Sequence, residues 1–127
     1  MILEIKIRPI GKPRMTQSDK WKKRACVLKY WHFKDCLINE AKKQNFILSD
    51  KIHIALYFKP NKSLSYNKAK QLIGKPHQVK PDYDNCAKAI CDALREDDER
   101  IYESFTSKYY HEEDKIVITN YNSCIFF

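Results

Sequence analysis

Residues 75–94 read KPHQVKPDYDNCAKAICDAL, a proline-containing approach followed by an amphipathic segment. The two prolines predict an extended loop over 75–81, because the residue before a proline disfavours the helical region of backbone space. Apolar residues at helical spacing then predict a helix over about 85–95. Its apolar face, wide enough to bury the helix, carries Ala87, Ile90, Cys91 and Leu94. The stretch therefore predicts a loop that leads into a buried helix.

Two acidic residues, Asp82 and Asp84, stand where this loop meets the helix. Either carboxylate can cap the helix by accepting a backbone N–H, but capping needs only one of them. Side chains two residues apart in extended backbone can point towards the same place. Asp97 and Asp98 follow the helix, so a chain that turns back brings one of them towards the first pair. Converging carboxylates predict a divalent-metal site, since a hard cation removes their mutual repulsion.

Oxygen-only ligands favour Mg²⁺ or Mn²⁺, and such an ion activates water and stabilises charge that builds on a phosphodiester. Lys88 lies one helical turn after Asp84, on the same face, and would neutralise the same charge. Two alternatives stay open at this point. D-x-D pairs also occur in proteins that bind no metal, and Lys88 can form an ordinary i,i+4 ion pair with Asp84 or Asp92.

The net charge of +8 is unevenly distributed along the chain. Residues 1–34 hold ten lysines and arginines against two acids, and residues 51–80 hold seven lysines and no acid. Residues 82–99, in contrast, hold seven acids against two basic residues. The basic flanks predict phosphate binding, and the acids between them would repel phosphate unless a divalent cation intervenes. Solvated lysines around a solvated acidic helix end are the alternative interpretation.

A long basic loop is predicted over 9–27, with Trp21 among its charges. A loop of this length in a small domain is usually functional or disordered. Its cations and indole suit nucleic acid, through phosphate contacts and stacking on bases. Alternatively, Trp21 anchors the loop to the core. The predicted DNA contacts are Lys12, Arg14, Lys20, Lys22, Lys23, Arg24, Lys75 and Lys80.

The length and composition predict one globular domain over 1–127, with no transmembrane segment and no signal peptide. The other predicted elements are strands over 2–8 and 51–58, helices over 28–44 and 63–74, and a hairpin of strands over 100–111 and 114–127. In the first helix the aromatic residues Tyr30, Trp31 and Phe33 are expected in the core.

The chain has five cysteines, an odd number, and no CxxC pair. This argues against a disulfide framework and predicts a reducing, cytoplasmic location. We expect the cysteines to pack as small apolar residues. A zinc site built from His77, Cys86 and Cys91 is the alternative, although the spacing matches no usual ligand pattern.

The stretch KPDYDNCAKAICDAL, followed by EDDERI, resembles the RusA-type Holliday junction resolvases known from phages and prophages. The shared pattern is D-x-D-N-x-x-K-x-x-x-D-x-L, then two aspartates and an apolar residue. The segments GKPRMTQSDKWKKR and GKPHQVKPDYDN are also similar to phage-type members. Tyr83 and Cys86 stand where the family commonly has aliphatic residues, which affects packing and leaves the acids in place.

The resemblance implies a small mixed α/β domain, with helices packed on one mixed sheet. It implies a homodimeric, metal-dependent endonuclease that binds four-way DNA junctions and nicks two opposed strands, with no small-molecule cofactor. The family's metal-binding aspartates fall on Asp82, Asp84 and Asp98, and its catalytic lysine falls on Lys88. Asp97 directly precedes the third position and is the alternative ligand. A twofold dimer also suits the twofold symmetry of a junction.

Two other functions are compatible with the same features. The first is a non-catalytic DNA-binding module, for which the acids need not converge. The second is a metal-dependent nuclease that acts on flap or replication-fork DNA, because phosphate contacts alone do not distinguish branched shapes.

Overall fold

The computed structural model describes residues 2–13, 25–95 and 98–121, and for Asp98 it describes the backbone only. The elements in chain order are β1 (Ile2–Ile5), α1 (Ala25–Lys43), β2 (Lys51–Phe58), α2 (Tyr66–Leu72), α3 (Tyr83–Leu94), a 3₁₀ turn (Asp98–Arg100), β3 (Glu103–Tyr110) and β4 (Lys115–Tyr121). Each predicted helix and strand is present. Where both ends are described they differ by a few residues, and α1 already begins at Ala25, within the loop predicted over 9–27. Residues 14–24 of that loop and 122–127 of the last predicted strand lie outside the described residues.

The four strands form one mixed sheet in the order β1-β4-β2-β3. β2 is antiparallel to β4 and parallel to β3, and β1 is antiparallel to β4. The predicted hairpin is therefore wrong: β3 and β4 follow each other in the chain, but β2 lies between them. β2 and β4 take the two inner places of the sheet, and β2 is the more deeply buried of them. A buried strand needs hydrogen-bond partners on both edges, whereas the more exposed β3 tolerates an edge position.

The short connection over 111–114 crosses the end of β2 to reach the other side. The His111 N–H donates to the Phe58 carbonyl oxygen at 2.9 Å, and Asp114 accepts from the Lys59 N–H at 2.7 Å. The same Asp114 oxygen pairs with the Arg8 guanidinium at 3.0 Å. These contacts hold the crossing in place and keep β3 and β4 apart.

One hydrophobic cluster joins the sheet to α1 and α3, which pack against each other. β2 contributes alternate residues with no exposed surface, Ile52, Ile54, Leu56 and Phe58. Each fully buried side chain of this kind stabilises the fold by about 1.5–3 kcal/mol. Among the described residues, no helix is long and apolar enough to cross a membrane.

The helix faces differ in part from the sequence prediction. In α1, Tyr30 and Phe33 are buried as predicted, whereas Trp31 is 42% exposed, so its assignment to the core is wrong. In α3 the fully buried face is one position earlier than predicted and carries Cys86, Ala89, Ile90 and Ala93. The predicted Ala87, Cys91 and Leu94 are partly buried against this cluster. Three of these four buried residues are small, and small side chains allow α3 to pack close against α1.

Candidate functional site

The segment that leads to the paired acids is attached to the outer edge of β3. The Gly74 N–H donates to Tyr110 O, the Tyr110 N–H donates to Lys75 O, and the His77 N–H donates to Lys108 O, at 2.9, 2.9 and 3.0 Å. The loop predicted over 75–81 is confirmed, and it pairs antiparallel with the strand at Pro76, opposite Tyr109. Its extended conformation is confirmed only in part, because the chain bends at 79–81. The pairing supplies the exposed edge of β3 with partners and fixes the direction in which the chain approaches α3.

The side chain of Lys108 holds the second part of the same loop. Its ammonium donates to the carbonyl oxygens of Val79 at 2.6 Å and Pro81 at 2.5 Å. Lys108 lies in register with Leu56 of β2, whose side chain is fully buried. An ammonium on this side of the sheet needs acceptors, and the two carbonyls supply them. The predicted site omitted Lys108; the available signal was the alternation of β3, which places this lysine on the core-facing side.

α3 begins directly after this anchored loop, with Asp82 at the N-cap position. The Asp82 backbone is extended, at φ −67° and ψ 144°, and its side chain makes no capping hydrogen bond. The Asp82 carboxylate is therefore not explained by helix capping. Asp84 lies in the first turn of α3, where the helix dipole favours negative charge. Both acidic side chains are exposed.

Asp82 and Asp84 line one open cavity of about 800 Å³. The lining residues are His77, Gln78, Val79, Lys80, Asp82, Tyr83, Asp84 and Lys108. Two carboxylates therefore share a cavity with two lysines at the positive end of a helix. Such a combination accommodates a phosphate near oxygen ligands, provided that a cation reduces the repulsion between the negative groups.

The described residues bring together two of the three predicted metal ligands. Asp98 opens the 3₁₀ turn, but its side chain, like Asp97 as a whole, lies outside the described part. Within the described part, no group of three or more His, Cys, Asp and Glu side chains could hold a metal ion. The Asp82/Asp84 pair fits Mg²⁺ or Mn²⁺ by the chemistry of its donors: both are carboxylates, and neither is used for capping. The ligand role of Asp98 stays a prediction.

Lys88 lies on the exposed surface of α3, one turn beyond Asp84. Among the described residues it makes no ion pair with Asp84 or Asp92, so the i,i+4 alternative receives no support. Asp92 instead pairs with the Lys12 ammonium and accepts from the Tyr30 hydroxyl at 3.4 Å. Burial, followed by the charge of Asp92 and the hydrogen bond to it, raises the pKa of Tyr30 to about 12.

The basic segment before α1 reaches the site at Gly11 and Lys12. The Lys12 N–H donates to Asn85 O at 3.3 Å, and a side chain at Gly11 would lie 3.2 Å from Asn85 Cβ. Of the predicted DNA contacts, Lys12 is in an ion pair with Asp92, whereas Lys75 and Lys80 are exposed. The remaining five, together with Trp21, lie outside the described residues: Arg14, Lys20, Lys22, Lys23 and Arg24.

His77 and Cys86 lie beneath the site and act in packing. The His77 ring is stacked on Phe58 at 4.0 Å between centroids, and in the described part its Nδ1 atom has no hydrogen-bond partner. Burial, then the charges of Lys108 and Arg8, lower the pKa of His77. Burial is the main cause that raises the pKa of Cys86 to about 11. A protonated, buried thiol confirms the expectation that this cysteine packs as an apolar residue.

The sequence profile described as endodeoxyribonuclease RusA matches residues 5–120 of the chain. The match contains β2, β3, all three α-helices and the loop that leads to Asp82, together with the last residue of β1 and all but the last residue of β4. Members of this family are endonucleases that resolve Holliday junctions. A comparison with curated proteins gave no matching relative.

Proposed function

Because the chain belongs to the RusA endodeoxyribonuclease family, we propose that it resolves four-way DNA junctions by metal-dependent nicking of two opposed strands. The observation that carries this proposal is the placement of the Asp82 and Asp84 carboxylates. Asp82 occupies a helix N-cap without using its carboxylate to cap, and it shares an open cavity with Asp84. A purely structural acidic helix start would be expected to use the carboxylate as a cap.

In this proposal Asp82, Asp84 and Asp98 hold Mg²⁺, or Mn²⁺ in its place. The bound ion supplies Lewis acidity and an activated water, and the products carry 5′-phosphate and 3′-hydroxyl ends. Lys88, exposed and unpaired among the described residues, stabilises the negative charge on the phosphodiester that is cut. Lys108 keeps the backbone before Asp82 in position through Val79 and Pro81.

The DNA backbone is held by the predicted basic residues around the site. Lys80 lines the cavity of the two aspartates and Lys75 lies exposed at the start of the same loop. Arg14, Lys20, Lys22, Lys23 and Arg24 stay proposed DNA contacts on the basis of the sequence alone, since they lie outside the described residues. Lys12 contributes less in this arrangement, since Asp92 already neutralises its ammonium.

A homodimer over the single domain 1–127 belongs to the same proposal, as does a location in the cytoplasm. Two opposed strands of a junction are related by a twofold axis, so a twofold dimer places one cavity at each strand. The face of β3 opposite the helices carries Phe105 and Tyr109, which are 59% and 41% exposed. Exposed aromatics on one strand face support an interface between two copies.

The test is incubation with a synthetic four-way junction, a flap and a linear duplex of equal length, with and without Mg²⁺. The proposal expects symmetric nicks in two opposed strands of the junction, only with the metal. Binding of all branched forms without any cleavage would favour a non-catalytic module. Faster cleavage of the flap than of the junction would favour a nuclease of other specificity.

A further inference from the structure

Three surface cavities lie next to each other and share lining residues along a path that leads away from the paired acids. The cavity of Asp82 and Asp84 shares His77, Val79 and Lys80 with a second cavity of about 590 Å³. The second cavity in turn shares lining residues with a third cavity of about 480 Å³ beside α2. The residues common to these two are Lys59, Pro60, Asn61 and Lys62. We call this surface the α2 trough.

The walls of the α2 trough are mainly basic beyond the two aspartates. The cations along it are Lys108, Lys80, Arg8, Lys59, Lys62 and Lys70. Two acids also line it, Asp114 and Glu112. Asp114 is engaged by the Arg8 guanidinium and by the Lys59 N–H, so its charge is largely compensated. The remaining excess of positive charge matches a phosphate backbone.

The far end of the α2 trough differs from an ordinary lysine surface, because it has an apolar floor. This floor is formed by Pro60, Leu64, Ala69 and Ile73. Tyr66 lines the same end and is 78% exposed, and the Lys70 ammonium lies 6.0 Å from the centre of its ring. α2 buries none of its residues. Tyr66 therefore has no core role that would explain an aromatic residue there.

We propose that base pairs at the branch point open when the protein binds and that one freed strand runs along the α2 trough, with a base stacked on Tyr66. Lys59, Lys62 and Lys70 bind the phosphates on either side of that base. Stacking on an exposed ring combined with a basic groove is how proteins bind single strands without reading sequence. Intact duplex offers only phosphates here, because its bases stay stacked inside, so the ring and the apolar floor would have no partner. This inference rests on the proposed junction-resolving function.

The test measures binding in EDTA, so that cleavage plays no part. The charge variant replaces Lys59, Lys62 and Lys70 by alanine, and its matched control replaces Lys29, Lys42 and Lys43, which are exposed on α1. We expect the trough variant to bind a junction about 10- to 100-fold more weakly. The slope of log affinity against log salt concentration should also become shallower, by the amount expected for the loss of about two to three phosphate contacts. The α1 control should bind like the wild type. An equal loss in both variants overturns the proposal.

Stacking is tested with Tyr66→Ala, with Tyr66→Phe as the conservative variant and Tyr102→Ala as the control, since Tyr102 is 64% exposed and outside the trough. The junction carries 2-aminopurine at successive positions near the branch. We expect one position whose fluorescence with the wild type and with Tyr66→Phe differs from that with Tyr66→Ala, and an affinity loss of about tenfold for Tyr66→Ala.

Two outcomes separate this proposal from the function on which it rests. If the lysine variant loses affinity but no 2-aminopurine position depends on Tyr66, a duplex arm occupies the trough and the unpaired-strand proposal is wrong. If the 2-aminopurine signal depends on Tyr66 as expected but the wild type cuts no branched DNA with Mg²⁺, the unpaired-strand proposal is supported and the nuclease function is wrong.

Discussion

Lys108 on β3 donates a hydrogen bond at 2.5 Å to the carbonyl oxygen of Pro81, the residue directly before Asp82. Together with the bond to Val79, this contact fixes the end of the loop from which the first candidate ligand extends. A residue of β3 that follows Pro81 by 27 residues in the chain thus helps to set the position of the acids. The consequence is that a lysine distant from the motif should affect both folding and chemistry.

Replacing Lys108 by methionine keeps most of the apolar stem and removes both donors. We expect the free energy of unfolding to fall by about 1–3 kcal/mol, because two carbonyls lose a charged partner. Junction cleavage should fall at least tenfold with a higher Mg²⁺ requirement, since Asp82 is no longer held. Urea unfolding and Mg²⁺ titrations of cleavage measure these effects, with Lys51→Met as the control. Wild-type cleavage at every Mg²⁺ concentration would reduce Lys108 to a structural residue.

Asp82→Asn should abolish Mg²⁺-dependent cleavage while leaving stability unchanged. Asparagine is a good N-cap residue, and the Asp82 carboxylate makes no capping bond that the substitution would break. Junction binding in EDTA should stay equal or become tighter, because one negative charge is removed near phosphate. Cleavage gels, anisotropy and a thermal melt test the three parts, with Asp35→Asn on α1 as the control. Retained cleavage would remove Asp82 from the site.

Lys88→Ala should lower the turnover number far more than the affinity for the junction. The side chain is exposed and makes no ion pair among the described residues, so alanine should leave α3 intact. We expect a loss of about 100-fold in single-turnover cleavage, a typical effect of removing one group that stabilises transition-state charge. Lys29→Ala provides the matched control. Equal losses in binding and cleavage would make Lys88 a binding residue.

His77 should make the stability of the protein depend on pH. Its pKa is lowered in the folded state, mainly by burial, so the unfolded chain takes up the proton first as pH falls. The stabilisation is therefore present above about pH 6.5 and is lost at lower pH, with a slope of at most about 1.4 kcal/mol per pH unit. Urea unfolding at pH 7.5 and 5.5 measures this. His77→Phe should have a flatter dependence than the wild type, and an equally steep dependence in this variant would contradict the prediction.

Phe105→Glu should convert the proposed dimer into monomers without unfolding the domain. Phe105 is 59% exposed on the open face of β3, so a charge there is tolerated in the monomer and disfavoured in an apolar interface. Light scattering after gel filtration measures the mass. Ile47→Glu, at a position 82% exposed on the connection between α1 and β2, is the control. A monomeric wild type, or a dimer unaffected by the substitution, contradicts the assignment of this face.

The sequence alone determined the features that depend on neighbours along the chain. The alternation in β2, the helical spacing of α3 and the two prolines before it each act over a few residues. Local sterics and the pattern of apolar side chains therefore sufficed to predict these elements. The acids Asp82 and Asp84 were also visible in this way, because the end of a loop and the start of a helix are local events.

Only the tertiary structure decided which strands pair and which distant side chains come into contact. The predicted hairpin was wrong because the deeply buried β2 pairs with β4 on one edge and with β3 on the other. The four residues that connect β3 to β4 do not reveal that another strand lies between them. Lys108 reaches Pro81 across 27 residues of chain, and the α2 trough joins side chains from Arg8 to Asp114. Such contacts form when the whole core is buried, since the gain from burial is shared by segments that are distant in sequence.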